Sequence, residues 1–141
     1  MKQFRQAVFI SLPVTNLSTS IRFYEAIGFQ QNSQFPDPEV AWMDLFDAFS
    51  VILITHDKWK EFTDRAIPDA KKVAQFGLSI TKESKAAVNH TVETASQVGG
   101  KLDPNPIEEF ECMYGRSIED PDGHILELKW IDMHPQMNSN T

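Results

Sequence analysis

The fold is decided by the stretch Leu12-Pro-Val-Thr-Asn-Leu-Ser-Thr-Ser-Ile-Arg-Phe-Tyr24. Apolar residues alternate with others over 7–14, and this period of two predicts a strand. Asn16 or Ser18 then caps a helix, because a short side-chain oxygen satisfies the first free backbone amides of a helix. Residues spaced three and four apart give this helix one apolar face, formed by Leu17, Ile21, Tyr24 and Ile27.

The strand and helix are followed by three further strands, after which the opening pattern returns. Gly28 ends the helix, and apolar runs bounded by turn residues predict strands at about 29–35, 39–46 and 49–55. The alternation of Ile10, Leu12 and Val14 then recurs at a constant offset of 66 residues. In the second copy Ser84 caps a helix, and strands are predicted at about 101–103, 111–119 and 124–130.

This repeat predicts an α+β fold of two βαβββ modules in tandem, because one strand–helix–three-strand unit is written twice. We expect a curved mixed sheet around a cleft, with the helices on the outside. The chain of 141 residues suits a single domain over residues 1–141. Its predicted parts are module one at about 7–55, a linker over 56–73, module two at about 74–131 and a frayed tail over 132–141.

Composition and charge exclude several classes of function. Thirteen Lys and Arg residues stand against 20 Asp and Glu, which gives a net charge of −7 and argues against nucleic-acid binding. No uninterrupted apolar run is long enough for a membrane span or a secretory signal. The single cysteine, Cys112, excludes an internal disulfide. We therefore expect a cytoplasmic protein.

Two motifs resemble those of the vicinal oxygen chelate superfamily, which includes glyoxalases, bleomycin-resistance proteins and extradiol dioxygenases. The opening stretch is similar to the first strand and helix of that superfamily. The segment Asp120-Pro-Asp-Gly-His-Ile-Leu-Glu-Leu128 is similar to its final turn and strand. The resemblance covers about residues 8–130 and implies the doubled βαβββ fold, often as a homodimer.

The same resemblance implies four metal-ligand positions, which metal-dependent members fill with His or Gln, Glu, His and Glu. These positions correspond to Phe9, Leu53, Gln75 and Glu127. Phe and Leu offer no lone pair, so two of the four ligands are absent. No cofactor is predicted; Gln75 and Glu127 would contribute if a divalent metal bound, with further ligands supplied by a partner chain.

The remaining candidates predict a small-molecule pocket with an apolar floor and a few polar groups. Phe9, Leu53, Gln75 and Glu127 are expected to line it, and Ser79 and Lys129 are expected on the face of Glu127. Trp42 and Asp44 share one face of the third strand, where a carboxylate needs a partner or a function.

Glu127 is the candidate catalytic residue, because desolvation among apolar neighbours would raise the pKa of its carboxyl group toward that of a general acid or base. The alternative is that Lys129 or Gln75 pairs with it. Tyr114 and Arg116 share a strand face and are candidates for binding an anionic or aromatic ligand. An ordinary salt bridge of Arg116 is the alternative there.

Three functions stay open on the sequence. The first is a small-molecule binder of the bleomycin-resistance type, which fits the missing metal ligands. The second is a metal-dependent lyase or isomerase of the glyoxalase type, acting on a glutathione–aldehyde adduct through Glu127. The third is an interaction module without catalysis. The expected partners are a small-molecule ligand and a second copy of the chain, with neither nucleic acid nor membrane.

Overall fold

The computed structural model describes residues 3–133 and divides the chain into two compact units between Asp69 and Ala70. Each unit contains one sheet and one long helix; the sheet has four strands in the first unit and five in the second. The prediction of an α+β fold built from two tandem modules is confirmed. The finer division into modules, linker and tail stays a prediction, and residues 134–141 of the tail lie outside the described residues.

The first unit has the predicted strand–helix–three-strand order. Its strands lie in the order β1-β4-β3-β2, with β1 parallel to β4 and the other pairs antiparallel. A short helix, α2, follows the last strand. The elements are β1 (Val8–Val14), α1 (Leu17–Ala26), β2 (Gln30–Asp37), β3 (Val40–Phe46), β4 (Phe49–Thr55) and α2 (His56–Trp59).

The helix α1 begins and ends as the sequence predicts. The Asn16 side chain accepts a hydrogen bond from the backbone amide of Thr19 at 3.1 Å, so Asn16 and not Ser18 is the cap. Gly28 follows the helix with a φ of 111°, a conformation that glycine adopts without strain. The helix buries Phe23 and Tyr24, and the sheet residues Leu12 and Val14 are buried with them. The face of the sheet that packs against α1 therefore belongs to the core of this unit.

The second unit repeats this plan with one addition. Its strands lie in the order β5-β9-β8-β6, and β7 pairs with β8 as a fifth strand that the repeat does not predict. Ser84 caps α3 by accepting from the amide of Ala87 at 3.0 Å. The elements are β5 (Leu78–Thr81), α3 (Lys85–Ser96), β6 (Lys101–Leu102), β7 (Glu108–Phe110), β8 (Met113–Glu119) and β9 (Ile125–Ile131).

The turn before β9 is held by the Asp120 carboxylate. Its Oδ1 atom accepts from the backbone amides of Asp122 and His124, both at 2.9 Å. Gly123 has a φ of 100°, and a Cβ atom there would lie 2.7 Å from the backbone nitrogen of Lys71. The turn therefore requires glycine for its backbone angle and for its close contact with the chain. Among residues 3–133, no helix is long and apolar enough to cross a membrane.

Candidate functional site

The face of the first sheet that turns away from α1 carries three of the predicted pocket residues. Phe9 and Asp44 both pair with Ser50, so all three side chains lie on this face, and Trp42 joins them two residues before Asp44. Leu53 pairs with Leu12 and is fully buried on the opposite, helix-facing side. The prediction that Leu53 shares a surface with Phe9 is therefore wrong.

Three aromatic rings meet on this face. The centroids of Phe9 and Trp42 are 4.7 Å apart with the rings at 74°, which is an edge-to-face contact. Phe35 lies on the other side, 5.1 Å from Trp42 and tilted by 31°. Phe9 and Phe35 are both exposed to solvent. Sequence reasoning missed Phe35, because it lies in an irregular part of β2 where alternation does not predict a face.

Asp44 has the partners that its position in an apolar strand requires, but both are neutral. Ser50 Oγ donates to one carboxylate oxygen at 2.6 Å, and Asn32 Nδ2 donates to the other at 3.1 Å. No Lys or Arg within residues 3–133 forms an ion pair with it. The half-buried charge of Asp44 is therefore not neutralised. We call this surface the aromatic–acidic face; it consists of Phe9, Asn32, Phe35, Trp42, Asp44 and Ser50.

Glu127 lies in the second unit within a polar cluster. Lys129 Nζ is 3.0 Å from its carboxylate, Ser79 Oγ donates at 3.3 Å, and Asn105 Nδ2 donates at 3.4 Å. The hydrogen bond from Lys129 lowers the pKa of Glu127 and outweighs the opposing effect of burial. The expectation of a raised pKa is therefore wrong, and the alternative of pairing with Lys129 is confirmed.

One small cavity adjoins Glu127 within the second unit. A cavity of about 10 Å³ lies between Glu127 and neighbouring residues of the second sheet. This is room for about one water molecule. Ser79 and Lys129 do lie on the face of Glu127, as predicted from alternation, because Ser79 pairs directly with Glu127. In this unit the carboxylate is thus a hydrogen-bonded, ion-paired group.

Tyr114 and Arg116 share a face, as predicted, but it is the helix side of the second sheet and not the side of Glu127. Arg116 forms a two-pronged ion pair with Asp103, at 3.1 and 2.6 Å. Its third contact is Asn89 on α3 at 3.0 Å, and the Tyr114 hydroxyl donates to the same Asn89 oxygen at 2.7 Å. The salt-bridge alternative is confirmed, because Arg116 is paired with Asp103. The same network ties α3 to the sheet. Asp103 also raises the pKa of Arg116.

The sequence matches the model of a known protein family. A family model described as the Glyoxalase/Bleomycin resistance protein/Dioxygenase superfamily matches residues 6–128. The chain belongs to this superfamily. No curated protein gives a significant match. The superfamily membership agrees with the two tandem modules and with the motifs at either end of the repeat.

Solved structures support the same fold. A glyoxalase-related enzyme from Fulvimarina pelagi is 23% identical with a TM-score of 0.74, covering 90% of this chain and 88% of that one. A glyoxalase/bleomycin resistance protein/dioxygenase family enzyme from Burkholderia phytofirmans is 17% identical with a TM-score of 0.73, covering 90% and 99%. The fosfomycin resistance protein of Mesorhizobium loti is 12% identical with a TM-score of 0.65, covering 96% and 99%. Identities this low establish the fold alone.

The residues of this superfamily member do not fit the divalent metal of its metal-dependent relatives. Phe9 offers no lone pair, Leu53 is in the core, and the Glu127 carboxylate is paired with Lys129. Gln75 is exposed and precedes β5, outside the sheet. Residues 3–133 contain no group of three or more His, Cys, Asp or Glu placed to hold an ion. His90 is exposed, and His134 lies outside the described residues.

Proposed function

We propose that this protein binds a small, planar, positively charged organic molecule on its aromatic–acidic face, as a metal-independent binder of the bleomycin-resistance type. The observation that carries the proposal is Asp44, a half-buried carboxylate with neutral partners on the same strand face as Trp42. A negative charge that no described Lys or Arg neutralises favours a cationic ligand.

The aromatic rings support the same ligand class. Phe9 and Phe35 flank Trp42, so a planar molecule gains apolar contact with rings on two sides. A delocalised cation gains further energy over an exposed aromatic face such as that of Phe9 or Phe35, about 0.5–2 kcal/mol depending on how far it is desolvated. Trp42 and Asp44 are two residues apart on one strand face, about 7 Å along the strand, which matches an aromatic ring carrying a charged substituent.

A glyoxalase-type isomerase is the less favoured function. Such an enzyme would need Glu127 to accept and return a proton near neutral pH. Lys129 instead lowers the pKa of Glu127, so its carboxylate is a weak base. The cytoplasmic location and the homodimer stay predictions from the sequence.

The test is an NMR titration with benzamidine, a planar aromatic cation, and with benzamide, its neutral analogue. We expect benzamidine to shift the amide signals of β3 and β4, and benzamide to bind at least about fivefold more weakly. Asp44→Asn should abolish the difference between the two probes. Glu25→Gln is the matched control, because it removes one exposed charge from α1 of the same unit.

Two results would overturn the proposal. One is equal binding of benzamide and benzamidine, or no binding of either, to the wild-type protein. The other is turnover of methylglyoxal and glutathione with added Ni²⁺ or Zn²⁺ that disappears in Glu127→Gln, since it would establish the isomerase instead.

A further inference from the structure

The second strand departs from the sheet next to the aromatic–acidic face. Asn32 pairs with Trp42 and Asp37 pairs with Val40, so β2 advances five residues where β3 advances two. Residues 33–36, which we call the β2 arch, are therefore outside the ladder of backbone hydrogen bonds. The backbone amide of Gln34 donates to Asn32 Oδ1 at 2.9 Å and fixes the start of the arch.

A cavity adjoins the β2 arch. Its volume is about 360 Å³, within the range of about 300–1,000 Å³ that holds drug-sized ligands. Phe35 belongs both to this cavity and to the aromatic–acidic face, because its ring contacts Trp42. The cavity is lined by Gln31, Asn32, Ser33, Phe35, Pro36, Asp37, Pro38 and Val40, which include one acidic residue and no basic one. The cavity and the aromatic–acidic face are therefore adjacent and share Phe35.

A second carboxylate, that of Asp37, lines the cavity. Asp37 pairs with Val40, so its side chain lies on the same face as Trp42 and Asp44. One of its oxygens accepts from the Glu39 amide at 2.8 Å, and within residues 3–133 it has no cationic partner. Asp44 lies four positions after Val40, which places the two carboxylates about 13 Å apart along the strand.

From this row of groups we infer that the ligand of the aromatic–acidic face is an elongated dication with an aromatic part between two positive ends. Asp44 takes one end, Trp42 and Phe35 take the aromatic part, and Asp37 takes the other end in the cavity. Amide side chains and proline rings of the cavity wall accept the linker between the charges. The inference rests on the proposed function and names the ligand class for the same site.

Charge complementarity separates this ligand from the alternatives. An anionic or zwitterionic molecule would place its negative end near Asp37 or Asp44, at a cost that falls with distance and salt. A monocation would pair with Asp44 and leave Asp37 in the cavity without a cationic partner. A dication of matching length joins two weak sites, and the second contact then forms at a high effective concentration.

The test compares benzamidine with a series of bis-benzamidines whose alkyl linkers become progressively longer, each titrated by calorimetry against the wild-type protein. We expect one linker length to bind at least about tenfold more tightly than benzamidine, because only a matching span reaches both carboxylates. Asp37→Asn should remove this gain, so that the best bis-benzamidine binds about as tightly as benzamidine. Asparagine keeps the oxygen that accepts from the Glu39 amide, so the turn is preserved. Glu25→Gln again serves as the charge control.

The outcomes separate the two proposals. Benzamidine binding that depends on Asp44, with no gain for any bis-benzamidine, would overturn the dication inference and keep the proposed function. A gain that persists in Asp37→Asn would also overturn it, since the second charge would then lie elsewhere. Failure of benzamidine and every bis-benzamidine to bind would overturn both.

Discussion

Two ion pairs of similar length but different burial give the most direct quantitative prediction. Arg116 and Asp103 lie 2.6 Å apart with side chains 13% and 25% exposed. Arg5 and Asp47 lie 2.8 Å apart with side chains 72% and 81% exposed. We expect Arg116→Met to destabilise the protein strongly and Arg5→Met to have almost no effect, because burial and not distance decides the net energy of an ion pair.

The magnitude follows from the contacts. Arg116→Met removes two charge-assisted hydrogen bonds to Asp103 and one hydrogen bond to Asn89, and it leaves the Asp103 carboxylate without its cation. Complete burial would make this loss about 3–5 kcal/mol. Because Asp103 keeps some water contact, we expect about 2–3 kcal/mol. The exposed pair of Arg5 should contribute about 0.5 kcal/mol or less.

The assay is urea unfolding, monitored by circular dichroism and analysed with one common slope m for all variants. With m of about 2 kcal/mol/M, Arg116→Met should lower the midpoint by about 1–1.5 M, and Arg5→Met by about 0.25 M or less. Asp103→Asn should reproduce most of the Arg116 effect, since asparagine tolerates the φ of 50° at that position. Midpoint shifts of equal size for Arg116→Met and Arg5→Met would refute the reasoning.

Three further predictions concern the core, the final turn and the polar cluster. Leu53→Ala should cost about 2–5 kcal/mol in urea unfolding, as a core residue does, whereas a pocket-lining leucine would cost little. Gly123→Ala should lower the free energy of unfolding by about 2–4 kcal/mol and lower the melting temperature, because the new Cβ atom is strained at a positive φ and overlaps with Lys71. A variant as stable as the wild type would contradict this prediction. The lowered pKa of Glu127 stabilises the folded state above the ordinary pKa of 4.5, and this stabilisation is lost as the pH falls through the pKa of the folded state. The destabilisation by Lys129→Met, measured by urea unfolding, should therefore become smaller in acid. A destabilisation that does not change with pH would contradict this prediction.

The fold was predictable because its signals are local and occur twice. Asn16 and Ser84 cap the two long helices, and the strands of the first unit lie within one or two residues of their predicted bounds. The added strand β7 was not predictable, because its sequence Glu-Glu-Phe has neither length nor alternation. Pairing with β8 forms this strand, and such a tertiary contact leaves no local signal.

The site was only partly predictable, and Leu53 explains why. The strand β4 lies between β1 and β3, and all five residues from Ser50 to Ile54 are buried, so alternation cannot set its phase. An error of one residue then turns every side chain to the wrong face. The alternating pattern of β9 placed Glu127 on the correct face, but whether Lys129 would pair with it depended on side-chain geometry that periodicity does not contain.

The β2 arch has a consequence for how this protein can change. Residues 33–36 contribute nothing to the ladder between β2 and β3, so insertions or deletions there leave the register at Asn32 and Asp37 intact. The length of the arch sets how far Phe35 and the cavity reach. Ligand preference can therefore diverge through changes of loop length alone, while the hydrophobic core and its stability are inherited unchanged.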